Sequence, residues 1–255
     1  MAKNISGSKA VCWDTGVSAF FVMTMFGAWL LKNPPVGYRP SGWAPAPASK
    51  SAATTYEFSP TEMLRTRTFY LMWIAYALGT SAGQMVISQL VPFAKSVAVP
   101  TAALQTVTLI IAASGNASGR ILSGWMSDGI GRLNVLRTMI AISAVAMPLL
   151  YMAGSNVGYL YVMVFVVYWC YGTQLSVNAA TTSDFWGTKN AGINYGLLFT
   201  AWGVAGIIGP RIGGVLFDRF KNYHAAFYWA SALAVIALVC ELLARRPTAP
   251  KAAHV

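Results

Sequence analysis

The chain has 255 residues, 56% hydrophobic and only 10% charged, with a formal net charge of +11 from 18 Lys+Arg against 7 Asp+Glu. A soluble domain carries about a quarter of its residues as charges. At a mean hydropathy of +0.54, this composition excludes an ordinary water-covered surface and points to an integral, multi-pass membrane protein. On a soluble chain the same positive balance would indicate nucleic acid. Here the cations sit in loops beside apolar runs, which is how membrane topology is set, so no nucleic-acid partner is expected.

Seven apolar runs reach the roughly 20 residues a helix needs to cross about 30 Å of hydrocarbon. They are Val11–Leu31, Phe69–Phe93, Leu104–Met126, Val135–Ala153, Val157–Thr181, Tyr195–Phe217 and Ala225–Ala244. Their continuity favours helices over a β-barrel, whose strands would alternate over about 10 residues. The first run is longer than a signal-peptide core, and Asn33-Pro34-Pro35 follows it rather than a small-residue cleavage site. It reads as a retained helix.

Eleven cations (Lys32, Arg39, Lys50, Arg65, Arg67, Arg132, Arg137, Lys189, Arg245, Arg246 and Lys251) fall on one side of this topology, against Lys3, Lys9, Lys95, Arg219 and Lys221 on the other. The positive-inside rule places the eleven in the cytoplasm. The expected organisation is a helix over 1–31, a Pro/Ala/Ser-rich cytoplasmic linker over 32–67, a six-helix block over 68–246 and a cytoplasmic tail over 247–255. A lone helix before six suits the end of a first half whose earlier helices lie outside this chain.

The third run carries GNASGRILSGWMSDGIGR at 115–132. An arginine at a helix centre costs about 2.5–3.5 kcal/mol on insertion scales. The eight residues from Arg120 to Asp128 span about 12 Å, which puts Arg120 near the midplane. Asn116 lies one turn earlier on the same face, and Gly115, Gly119 and Ser123 allow another helix to approach. A guanidinium fork binds a carboxylate bidentately. The functional reading is an anion site, and the competing one is a structural arginine bonded to carbonyls. At the end of the run, Gly124 and Asp128 share a face and Gly131 offers a positive φ to stop the helix. Arg132 would then meet the headgroups. This turn reads either as a latch between moving helices or as an ordinary basic loop.

In the fifth run Tyr171, Gln174 and Asn178 lie at i, i+3 and i+7, on one face. They would line a cavity or bond between helices. Tyr76, Gln84 and Gln89 are weaker candidates of the same kind. Gly203, Gly206, Gly209 and Gly213 with Pro210 suggest a closely packed, bendable helix, and Arg211 is expected to snorkel towards the outer face. No acid lies mid-helix, and His224 and His254 are off-centre, so no proton relay is evident. Cys12, Cys170 and Cys240 fall in three separate runs with no metal or disulfide spacing. No metal or cofactor is expected. The GTSAG at 79–83 matches G-x-S-x-G but lies inside an apolar helix, where a nucleophile elbow cannot form, so the chain is not read as an enzyme.

The spacing Gly124–Asp128–Gly131–Arg132 resembles the loop motif of the major facilitator superfamily, with Met126 and Gly129 departing from it. Together with NPPVGYRPSGW at 33–43 and NYGLLFTAWGVAGIIGP at 194–210, the chain resembles the oxalate/formate antiporter branch of that superfamily. The resemblance implies an all-α bundle of twelve transmembrane helices in two halves. This chain would supply the sixth helix and the complete carboxyl-terminal six-helix half, with a missing or separate amino-terminal half as its partner. It implies alternating access and a small organic anion exchanged across a plasma or inner membrane. In that branch the arginine matching Arg120 contacts the substrate carboxylate, and oxalate exchangers carry a lysine where this chain has Trp202. One cation opposite an indole suits a monocarboxylate, although Trp202 in a packing role is an equal reading. The competing class is a non-transporting half-carrier or a helical assembly partner.

Overall fold

A computed structural model describes residues 5–31, 54, 56–97, 101–152 and 156–249. It is all-α, with α1 (Ile5–Leu30), α2 (Pro60–Leu64), α3 (Arg67–Val97), α4 (Ala102–Ile130), α5 (Arg132–Tyr151), α6 (Val157–Trp186), α7 (Ala191–Phe220) and α8 (His224–Leu243). The chain forms two compact units, 1–46 and 47–255. The first holds α1, whose Thr24 hydroxyl bonds back to the Phe20 carbonyl. Most of the expected linker, including the NPPVGYRPSGW stretch, and the tail beyond 249 lie outside the described residues.

Each of the seven expected runs coincides with one long helix; four lie wholly inside it, while α1, α5 and α8 end at Leu30, Tyr151 and Leu243, short of the expected Leu31, Ala153 and Ala244. Helices α5, α6, α7 and α8 are long and apolar enough to cross a bilayer. Helices α3 and α4 are as long but more polar. Thr80, Ser81 and Gln84 interrupt one, and Ser114, Asn116, Ser118 and Arg120 the other. Those hydroxyls do not leave backbone unsatisfied. Ser114 and Ser118 of α4 bond the Ile110 and Ser114 carbonyls, as Thr181 and Thr182 of α6 bond Val177 and Asn178.

The helix ends follow local chemistry. Thr101 and Asn156 cap α4 and α6 by accepting from Leu104 N and Tyr159 N. Gly131 at φ 95° ends α4 and Gly187 at φ 88° ends α6. Both conformations favour glycine, so each turn is only as long as that residue allows. At the far end of α8, Arg137 of α5 donates to the Glu241, Leu242 and Ala244 carbonyls and closes the helix.

In the second unit the main packing order is α4–α6–α5–α8–α3–α7, with α6 also meeting α3 and α7. Close approach is made by glycine. A Cβ on Gly115 would stand 2.6 Å from the Phe165 carbonyl, and one on Gly119 would meet the Trp169 carbonyl. Gly172 of α6 returns the contact against the Asn116 carbonyl. Ser123 completes the seam by bonding Thr173 at 2.6 Å and accepting from the Trp169 indole. This is small-residue packing as membrane helices use it.

Between α3 and α7, a Cβ on Gly209 would sit 2.6 Å from Ser81 O and one on Gly213 2.9 Å from Met85 Cγ. Gly203 and Gly206 have nothing against them, so only half of the expected glycine packing of α7 occurs. The helix runs unbroken through Pro210. The GTSAG glycines also pack. Gly79 faces the Gln174 side chain and Gly83 the Tyr171 ring, and the helical backbone there has no elbow.

The contrast between packed and open glycines gives a test. Gly119→Ala is expected to lower stability by about 1–3 kcal/mol through overpacking, while Gly203→Ala is neutral or slightly stabilising. Thermal unfolding of the two variants in detergent, followed by circular dichroism, checks the difference.

Candidate functional site

Two polar centres occupy the second unit. The first is built on α4, α6, α3 and α7. Arg120 is exposed on α4 and flanks the seam with α6, one residue on from Gly119. Its Nε donates to Asn116 Oδ1 at 2.9 Å, so the expected one-turn pairing forms. That bond orients the guanidinium and leaves both terminal nitrogens without a hydrogen bond among the described residues. Arg120 and Asn116 line an open cavity of about 490 Å³ with Leu109, Ala113 and Tyr168. Arg120 also lies within electrostatic range of the Tyr76, Tyr171 and Tyr195 hydroxyls.

Tyr171, almost fully buried, joins three helices. Its Oη accepts from Gln84 Nε2 of α3 at 2.8 Å and from Trp202 Nε1 of α7 at 2.9 Å. The Trp202 indole is stacked on Phe199, with centroids 5.3 Å apart and planes 7° from parallel, and Phe199 in turn meets Tyr195 and Tyr76. Tyr76 Oη is buried and unpartnered. It interacts with the Tyr195 hydroxyl but falls short of hydrogen-bond geometry.

The other two members of the expected α6 face have different employment. Gln174 Oε1 accepts from the Thr80 hydroxyl at 3.3 Å, a bridge from α6 to α3, and Asn178 bonds back to the Gln174 carbonyl. The sequence therefore brings Arg120 to Asn116 and Tyr171 to Trp202 as candidate partners, and places Gln174 in the interhelical role. Gln84, a weaker candidate by sequence, is a direct neighbour of Tyr171.

The second centre is the α4–α5 turn. Arg132 does not reach out to headgroups as its loop position suggests. Its side chain is 15% exposed and bridges Asp128, in its own turn, and Asp184 near the end of α6, the latter at 2.9 Å. It also donates to Ser127 Oγ and the Gly124 carbonyl. Asp184 was not singled out from sequence. Its signal is an acid that ends an apolar run on the same side as Arg132.

A strap from the expected linker reaches the same place. Thr54 N donates to the Asp184 carbonyl and Phe58 N to the Trp186 carbonyl, each at 3.0 Å. Glu57 accepts from Lys189 N at 2.8 Å and packs against Gly187. Asn190 and Asn194 side chains donate to the Phe58 carbonyl. Arg246 donates to the Asp184 carbonyl as well. Thr54, Glu57 and Phe58 thus fasten this strap to the end of α6 and the α6–α7 turn. Ser59 then opens α2 with a capping box to Glu62.

The sequence profile of the Major Facilitator Superfamily matches residues 93–255. The chain belongs to the Major Facilitator Superfamily. It is therefore an integral membrane protein of a transporter superfamily, and not an enzyme. It is 27% identical over 186 residues to the oxalate:formate antiporter of Oxalobacter formigenes, covering 72% of this chain and 44% of that protein. It is 26% identical over 188 residues to the uncharacterized MFS-type transporter YhjX of Escherichia coli (strain K12), covering 73% and 44%. The chain spans less than half the length of these two superfamily members.

Two outcomes are expected of the turn. Asp184→Asn should cost about 1–3 kcal/mol, the scale of a hydrogen bond to a charged group, with faster amide exchange at 128–136 by mass spectrometry. The second concerns the strap. The Tyr56 hydroxyl at 2.7 Å, the Ser59 amide and hydroxyl, and Arg65 hold the Glu62 carboxyl below its ordinary value. A carboxyl lowered in the folded state adds stability above the ordinary carboxylate range and loses it as pH falls through the lowered value. Exchange protection of residues 56–64 should therefore drop on acidification, at a higher pH in Tyr56→Phe than in the parent.

Proposed function

We propose that this chain forms one half of a secondary carrier that moves small organic anions by alternating access, with the substrate carboxylate held on Arg120. The observation that carries this reading is the state of Arg120. It is an arginine on a largely apolar helix, aimed by Asn116, with two terminal nitrogens uncommitted and an open cavity before it. An intramembrane ionisable group is by default a functional-site hypothesis. A structural arginine would spend its donors on carbonyls, as Arg137 does.

The substrate class we propose is a monocarboxylate. Among the described residues the groups within reach of the Arg120 charge are the hydroxyls of Tyr76, Tyr171 and Tyr195, which are neutral. Within this half a dianion would leave one charge without a counter-ion in a low-dielectric site, and that is costly. The name of one relative, an oxalate:formate antiporter, supports a carboxylate and an exchange mode. We further propose the organisation that goes with this reading: a helix over 1–31, a cytoplasmic linker over 32–67, the six-helix half over 68–246 and a tail over 247–255. The turn Gly124–Asp128–Gly131–Arg132 acts as the cytoplasmic gate, closed when Arg132 joins α4 to α6 through Asp184. The opposite wall of the cavity comes from an amino-terminal helical half.

The experiment is counterflow of labelled formate, lactate, pyruvate and oxalate in proteoliposomes. Arg120→Gln is expected to reduce carboxylate uptake by at least about tenfold, since each lost charge-assisted bond is worth about 1.5–3 kcal/mol. Uptake equal to the parent would sink the site. A preference for oxalate would overturn the monocarboxylate assignment while leaving Arg120 in place.

A further inference from the structure

The cavity before Arg120 is an elongated slot that is charged at one end only. Leu109, Ala113, Asn116, Ala117 and Arg120 of α4 line it, with Tyr168 of α6 beside them. Counted from Leu109, the other four α4 residues follow at four, seven, eight and eleven positions, which is one face of a helix. Eleven residues at helical rise make the slot about 16 Å long. Its volume of about 490 Å³ is far more than a one-carbon acid fills.

The polar groups of α4 cluster at the Arg120 end. Asn116 Oδ1 holds the guanidinium Nε at 2.9 Å, so cation and amide form a single polar head. From there towards Leu109 the lining on α4 is methyl groups and a leucine. Ala113 and Ala117 are exposed, and their small side chains keep the floor of the slot clear. The serines of the same stretch do not line it. Ser114 and Ser118 donate instead to the Ile110, Ser114 and Gly115 carbonyls of their own helix. The backbone there is helical, so its amides and carbonyls are already paired. On the α6 side the lining residue is Tyr168, whose ring is apolar and whose hydroxyl is the one polar tip.

We infer that the site takes a monocarboxylate with an apolar body of several carbons, its head on Arg120 and its tail along Ala117 and Ala113 towards Leu109. This rests on the anion reading of Arg120 and deepens it by naming the shape of the substrate. The guanidinium supplies the attraction, and the alanine floor supplies the selection. Each methylene laid on that floor leaves water, which is worth about two- to fourfold in affinity depending on how completely it is covered. Formate has no carbon beyond its carboxylate and gains none of this. A second carboxylate at the far end would meet alanine and leucine in place of a cation.

The test uses the whole chain in detergent. Bound labelled pyruvate is displaced by unlabelled formate, acetate, propionate, butyrate and hexanoate, in the parent and in Arg120→Gln. In the parent, affinity is expected to rise about two- to fourfold per methylene. Ala113→Phe, whose ring would occupy the slot, should lower the hexanoate-to-formate affinity ratio by about tenfold or more. If it does not fold, the parent series decides alone. Affinity that is flat or falls with chain length, while Arg120→Gln loses pyruvate, overturns the apolar slot and leaves the Arg120 site standing. A hydroxy acid that displaces pyruvate better than the plain acid of equal carbon number overturns it as well, because the Tyr168 hydroxyl would then be serving a polar body. Pyruvate bound by Arg120→Gln as tightly as by the parent shows that the underlying anion reading has failed instead.

Discussion

The contact on which the described bundle depends is backbone against backbone between α4 and α6. Gly115 and Gly119 bring α4 onto the Phe165 and Trp169 carbonyls, and Gly172 brings α6 onto the Asn116 carbonyl. Lipid tails are as apolar as leucine, so membrane helices gain little from burying apolar area against each other. Dispersion at close approach and hydrogen bonding must do the work. Committing the small residues of α4 to this seam has a second effect. It leaves the flank of the seam open, and that flank carries Arg120. The residues that make the helix stick thereby determine where its cation points.

The same economy governs the polar side chains. In hydrocarbon each polar group needs a partner within the protein, and here most have one. Serines and threonines bond back to their own helices, Ser123 meets Thr173, and Gln174 meets Thr80. Among the described residues the exceptions are the two terminal nitrogens of Arg120, which make no hydrogen bond, and four buried atoms without a partner: Tyr76 Oη, Trp186 Nε1, Asn194 Oδ1 and Glu241 Oε1.

The α4–α5 turn works on a different principle. Gly131 permits a one-residue turn, which places Arg132 directly under α4 and within reach of α6. Two carboxylates share that arginine, and the strap through Thr54 and Phe58 fastens the backbone of the same α6 end. Movement of α4 relative to α6 would break ion pairs at one level while the glycine seam slides at another. Centre and turn are therefore linked through two helices rather than through loops.

Sequence by itself determined the class and the number of long helices, because apolar run length is a local property. It also paired Arg120 with Asn116, since a four-residue spacing on a helix fixes neighbours without tertiary information. Only the tertiary structure decided which partners meet across helices. Arg132 reads as a headgroup anchor from its loop and becomes an ion-pair bridge because α6 ends beside it. Gln174 and Tyr171 look equivalent along α6, yet one bonds Thr80 and the other gathers Gln84 and Trp202. The glycines of α7 look alike, yet Gly209 and Gly213 touch α3 while Gly203 and Gly206 face outward. Helical periodicity defines faces, but rotation of each helix about its axis is set by packing, and that rotation assigns the chemistry.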